Sequence, residues 1–117
     1  MSESVKRVDK PWGYELHWAK TDRYVGKVIH VDAGQALSLQ YHNHKDETIF
    51  LWSGRMQFEI QEDGKLVARE MKVGESVHVT PGTVHRMTAI TDCDIFEVST
   101  PELDDVVRLE DRYGRQT

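Results

Sequence analysis

Cysteine is nearly absent from this sequence. Cys93 stands alone, so no disulfide can form within the chain, and nothing points to an oxidising compartment. In its strand-like surroundings Cys93 reads as a small buried hydrophobe rather than a reactive thiol. No apolar run approaches the roughly 20 residues that a membrane helix needs. The opening MSESVKRVDKPWG also lacks the apolar stretch of a secretory signal. The expectation is a cytoplasmic protein with no membrane partner. Positive charge is in deficit: 15 Lys and Arg face 20 Asp and Glu, a formal net charge of −5. A nucleic-acid partner would ask for a basic face, so that class is set aside. A 3.6-residue apolar period is missing as well, which removes the helical bundles.

What remains is a chain of 117 residues, 38% hydrophobic, enough for one domain with a single modest core. Residues 1–9 are polar and are expected to form a loose arm, and Lys10-Pro11-Trp12-Gly13 reads as a turn. Short strands follow: YELHWAK, YVGKVIHV, ALSLQYHNH, ETIFLWS, RMQFEIQE, LVAREMKV, ESVHVT, VHRMTAI and DIFEVST. Gly- and Asp-bearing turns separate them, among them Ser53-Gly54, Asp63-Gly64 and Pro81-Gly82. The pattern predicts an all-β antiparallel sandwich or small barrel spanning residues 1–117 as one domain. Residues 102–117 form a tail, helical or extended, packing over or beside the barrel.

The stretch Gly34 to Gly54, GQALSLQYHNHKDETIFLWSG, concentrates the chemistry. With side chains alternating along a strand, Gln40, His42 and His44 project to one face. Glu47 opens the next strand, and His85, after the Pro81-Gly82 turn, can return to the same end of the barrel. Gln40, His42, Glu47 and His85 form a mixed nitrogen and oxygen set suited to one divalent metal ion. Zinc is the first expectation, and manganese, iron, cobalt or nickel fit the same donors.

These residues resemble the cupins, whose first motif reads G-x5-H-x-H-x3-4-E-x6-G. Gly34, Gln40, His42, Glu47 and Gly54 match it, with Gln40 in place of the first His. The second motif, G-x5-P-x-G-x2-H-x3-N, is met by Gly74, Gly82 and His85, with Thr80 for its Pro and Ala89 for its Asn. The resemblance implies a double-stranded β-helix of the jelly-roll type. KPWG (10–13), LSLQYHNHKDE (37–47), PGTVHR (81–86) and DDVVRLEDRYGR (104–115) resemble a narrower group. That group is the isomerase domain of bifunctional mannose-6-phosphate isomerase/mannose-1-phosphate guanylyltransferase enzymes. It implies a metal-dependent aldose–ketose isomerase that works through an enediol on a sugar or sugar phosphate.

Such chemistry needs a base, an electrophile and grips on hydroxyls and phosphate. His44, about 6–7 Å beyond His42 along a strand, is one candidate base. Lys45 is another by resemblance, with an exposed turn lysine as the plain alternative. Glu97 is either a solvated residue or an inward acid. Lys10, Arg86 and Arg108 are candidates for the phosphate. Alternation points Arg86 away from His85, and a surface ion pair is the alternative for Arg108. His17, His30 and His78 lack convergent partners and read as strand histidines. Trp12, Trp18, Phe50, Trp52 and Phe58 read as core or a dimer face. Exposed barrel edges favour a homodimer. Two other functions fit the donors: a non-haem iron oxygenase built on His42, Glu47 and His85, and a module that binds a sugar without turnover.

Overall fold

Period-two alternation decides this fold. In the computed structural model, which describes residues 4–115, eleven strands form two antiparallel sheets. The strands are β1 (Lys6–Lys10), β2 (Gly13–Lys20), β3 (Val25–Val31), β4 (Leu39–Tyr41), β5 (Glu47–Ser53), β6 (Met56–Glu62), β7 (Lys65–Met71), β8 (Ser76–Val79), β9 (His85–Ala89), β10 (Cys93–Ser99) and β11 (Val107–Glu110). One sheet has the order β1-β2-β3-β10-β5-β8 and the other β11-β4-β9-β6-β7. Strands distant in sequence are therefore neighbours, as a jelly roll requires. No helix is long and apolar enough to cross a membrane among the described residues.

The core is built from the inward residues of both sheets. Ile29, Val31, Ile49, Leu51 and Ile95 face Met56, Phe58, Met71 and Met87, all buried. Each large side chain fully buried in this way contributes about 1.5–3 kcal/mol. The inward positions are not uniform along the strands. On β3 the inward series is Val25, Lys27, Ile29, Val31; on β10 it is Cys93, Ile95, Glu97, Ser99. Glu97 pairs in register with Lys27 on one side and with Ile49 on the other. Charged inward residues thus gather at one end of the barrel and apolar ones at the other, and this division sets where a cavity forms.

One expectation is corrected and one left open is resolved. The segment read as a loose arm contains β1, whose five residues all pair with β2. Polarity misled there, because an edge strand gains backbone hydrogen bonds without an apolar sequence, and charges on it suit an edge. Residues 1–3 lie outside the described residues. The tail, left open between helix and extended chain, forms β11 against β4. Of the large aromatics, Trp12 and Phe58 are core, while Trp18 and Trp52 are more than half exposed.

The turn after β5 tests the packing. Gly54 has φ +92°, and a Cβ there would sit 2.1 Å from the Asp92 carbonyl oxygen, a backbone atom that cannot step aside. Replacing Gly54 with Ala adds left-handed strain to that clash, for a loss of roughly 2–4 kcal/mol. Chemical denaturation should show a lower midpoint of that size, with an unchanged slope.

Candidate metal centre

His42 lies just past the end of β4, and His85 begins β9. Each imidazole is oriented by a backbone carbonyl. His42 Nδ1 donates to the Asp105 carbonyl oxygen at 2.5 Å, and His85 Nδ1 donates to that of Thr83 at 2.9 Å. Those bonds leave both Nε2 atoms directed at one oxygen of Glu47, at 3.2 Å from His42 and 3.0 Å from His85. The three residues are buried, and their ligand atoms all lie within 4.8 Å of one another. With Nδ1 of each ring committed to a carbonyl, Nε2 is left to meet Glu47 or a shared ion, and the spacing suits ligands sharing one ion at about 2.0–2.2 Å. The buried His42, Glu47 and His85 triad could bind a metal. Gln40 is the register partner of His85 across β4 and β9, and its side chain borders the same cavity.

That cavity, about 480 Å³, extends from the triad to a wall of buried charge. Lys45 Nζ lies 3.3 Å from Glu47 Oε2 and 3.2 Å from Glu97 Oε2. Lys27 Nζ lies 3.9 Å from Glu97 and 3.2 Å from Glu15, whose carboxylate meets His17 Nε2 at 2.8 Å. Carboxylates and ammonium groups alternate along this line. Burial pushes the Glu97 carboxyl up, the Glu47 charge adds to it, and the two lysines offset only part, so its proton is held more tightly than usual. Burial works the same way on Glu47. There the hydrogen bonds with His42 and His85 and the charge of Lys45 win, keeping its carboxyl well below the usual range. Burial would lower Lys45, but Glu97 and Glu47 together raise it, so it stays an ammonium.

The sequence candidates separate. Lys45 and Glu97 are both buried and line the cavity, which removes the readings of exposed lysine and solvated acid. Lys10 and Arg108 border it as well. His44 does not. The strand ends at Tyr41, so alternation stops before it reaches His44, whose side chain is exposed. Arg86 is on the outer face of β9, paired with Glu59 at 2.9 Å and Glu110 at 3.6 Å. A substrate role for Arg86 is therefore corrected to a surface ion pair. The three strand histidines do have partners: Glu15 for His17, Asp94 for His30 and Asp46 for His78.

Three residues escaped sequence reading. Lys27 and Glu15 could have been found, since Lys27 falls in phase with Val25, Ile29 and Val31 and so had to face inward. Asp105 left no such sign. Its carboxylate accepts the backbone N–H groups of Asn43 at 3.0 Å, His44 at 2.6 Å and Lys45 at 2.9 Å. It grips the loop between two ligands, from sixty residues away in the chain. Those hydrogen bonds hold its carboxyl down at about 2.

A two-sheet jelly roll with a His, Glu, His set at one end defines a cupin, and solved structures share the fold. Oxalate decarboxylase from Bacillus subtilis aligns with a TM-score of 0.76 at 13% identity, covering 90% of this chain and 30% of that one. CapF from Staphylococcus aureus gives 0.75 at 19%, covering 94% and 34%. KdgF from Halomonas sp. gives 0.71 at 18%, covering 87% and 91%.

Residues 1–111 match the family described as "Mannose-6-phosphate isomerase C-terminal", and the chain belongs to it. Relatives include mannose-1-phosphate guanylyltransferase of Escherichia coli (strain K12), 36% identical over 115 residues. That alignment covers 94% of this chain and 23% of the relative. Alginate biosynthesis protein AlgA of Pseudomonas aeruginosa is 32% identical over 113 residues, 92% of this chain and 23% of the relative. The chain thus spans about a quarter of the curated relatives it matches.

Three outcomes follow for the centre and its anchor. Glu47→Gln and His85→Ala, each removing one donor, should lose bound divalent metal by elemental analysis while circular dichroism still reports the sheet. Asp105→Ala should weaken metal binding by about 10–100-fold in a chelator competition, because the loop between the ligands loses its anchor. The sign in pH is set by a folded-state value below the ordinary 3.8. Asp105 stabilises fully above 3.8, and that contribution fades as pH falls toward about 2. Acid unfolding of Asp105→Ala should therefore be less steep across that window.

Proposed function

We propose that this chain is a metal-dependent isomerase interconverting an aldose phosphate and its ketose, of the mannose-6-phosphate isomerase type. One observation carries the reading: a buried acid–ammonium pair, Glu97 and Lys45, stands in the same cavity as the ligand triad. Family membership supports it independently. A bound divalent ion, held by His42, Glu47 and His85 with Gln40 beside them, would supply Lewis-acid polarisation of a substrate oxygen.

The chain's own residues do the rest. Glu97 Oε2 takes the proton from C2 of the aldose and returns it to C1, while the O2 hydroxyl proton passes to O1. The C2–H bond breaks and the C1–H bond forms, so no redox partner is needed. Lys45, kept cationic between two carboxylates, stabilises the negative charge that develops on oxygen. Lys10 and Arg108, at the cavity wall, hold the phosphate. Lys27, 3.9 Å from Glu97 and 3.2 Å from Glu15, ties Glu97 into the buried line of charge.

Protein loaded in turn with zinc, manganese, iron, cobalt or nickel should interconvert mannose 6-phosphate and fructose 6-phosphate, with solvent deuterium entering the sugar. Glu97→Gln should lower kcat by about 100-fold or more with metal content unchanged. No turnover across those metals and several hexose phosphates would overturn the reading. The triad alone, two His and one carboxylate, favours a second reading as a non-haem iron oxygenase. Oxygen uptake that needs Fe²⁺ and an organic substrate would select it.

A further inference from the structure

KPWG (10–13) and the end of DDVVRLEDRYGR (104–115) lie far apart in the chain and meet beside the main cavity. They frame a smaller chamber of about 60 Å³, bordered by Lys10, Trp12, Glu15, Ser38, Arg108 and Arg115. Lys10, Gln40 and Arg108 border both cavities, so the two adjoin. The chamber has room for a few waters, enough for one tetrahedral oxyanion and too little for a sugar ring. The tail is fixed there. Tyr113 donates to Gln35 Oε1 at 2.6 Å, and Arg112 donates to the Gly34 carbonyl oxygen at 2.8 Å.

The chamber is short of negative charge. Three cations line it against one carboxylate, Glu15, which is already held by Lys27 at 3.2 Å and His17 at 2.8 Å. Asp111 accepts two hydrogen bonds from the Arg115 guanidinium, at 2.9 and 2.8 Å, and matches part of the excess. Burial and the Arg115 charge both push the Arg108 guanidinium below its usual range, against the pull of Asp111. Like charges are thus held together at a cost that an anion between them would remove. A second sign is independent of charge. The Trp12 indole, 2% exposed, has no hydrogen-bond partner for its N–H among the described residues. Buried donors are rarely left so, and Trp12 borders this chamber rather than the main cavity.

We propose, resting on the isomerase reading for the identity of the sugar, that the chamber seats the phosphate on the far carbon of an open-chain hexose phosphate. Arg115 and the Trp12 N–H select it together with Lys10 and Arg108. Register supplies the distance. Arg108, Gln40 and His85 are successive partners across β11, β4 and β9, one row on one face. Two strand spacings put about 10 Å between the backbone of Arg108 and that of His85. An open-chain hexose bridges that gap with C1 and C2 at the triad and a 6-phosphate in the chamber. A phosphate on C1 would leave the chamber empty.

Calorimetric titration of the full chain with zinc present reads the chamber without turnover. The probes are mannose 6-phosphate, mannose 1-phosphate and inorganic phosphate. The 6-phosphate should bind at least about 10-fold more tightly than the 1-phosphate, and inorganic phosphate should compete with it. Arg115→Gln should weaken the 6-phosphate by about 10-fold or more and leave the 1-phosphate unchanged, with Arg115→Lys recovering part. Trp12→Phe keeps the ring and loses the N–H, for a loss of about 3–10-fold on the 6-phosphate alone; the Arg115 pair carries the test if it misfolds. Equal binding of the two mannose phosphates, or an Arg115→Gln loss shared by both, would overturn the proposal. Inorganic phosphate binding more tightly than the ester would assign the chamber to the free anion and overturn it as well. Selective binding without turnover would sink the isomerase reading and leave the chamber standing. Turnover whose KM Arg115→Gln does not raise would do the reverse.

Discussion

The Glu47 carboxylate is the point on which the polar end of the barrel turns. One oxygen meets the Nε2 atoms of His42 and His85, and the other meets the Lys45 ammonium. With 4% of its surface exposed, it cannot fall back on water. An unpaired carboxylate there would cost roughly 3–5 kcal/mol, so every neighbour is obliged to be cationic or to hold a cation. Lys45 in turn requires Glu97, Glu97 leans on Lys27, and Lys27 on Glu15. The buried network follows from this single requirement, passed from strand to strand.

Such a network is a poor way to make a protein stable. Apolar side chains of the same volume would cost less to bury and would do the structural work as well or better. The other end of the same strands shows the alternative, since Ile29, Val31, Leu51 and Ile95 fill it without any charge. Burying five acids and lysines together with two histidines at one end alone is what a site for chemistry or recognition looks like. The apolar half supplies the rigidity, and the charged half is held in place by it.

The chain also closes its site from its own far end. Asp105 takes the His42 ring through its carbonyl and three loop N–H groups through its carboxylate. β11 then pairs with β4, placing Arg108 opposite Gln40. The loop carrying His42 and the tail carrying β11 are therefore tied together through Asp105. Residues Leu103, Asp104 and Val106 of the same segment border the cavity.

Much was legible in the residues alone: the all-β character, most strand positions from β2 to β10, and the meeting of His42, Glu47 and His85, because alternation and motif spacing are local signals. Alternation misled wherever it was carried past its range. His44 fell outside the strand that was to aim it, and polar residues 6–9 were taken for a free arm although edge strands need no apolar face. Buried Lys45 and Glu97 could be proposed as site residues but not paired, since their partners come from other strands. That five charges form one line, that Arg86 pairs with Glu59 and that Asp105 anchors the loop from 43 to 45 emerged with the packing of the sheets. The physical reason is separation along the chain: Asp105 and Lys45 stand sixty residues apart, and only the crossing of the two sheets brings them within a hydrogen bond.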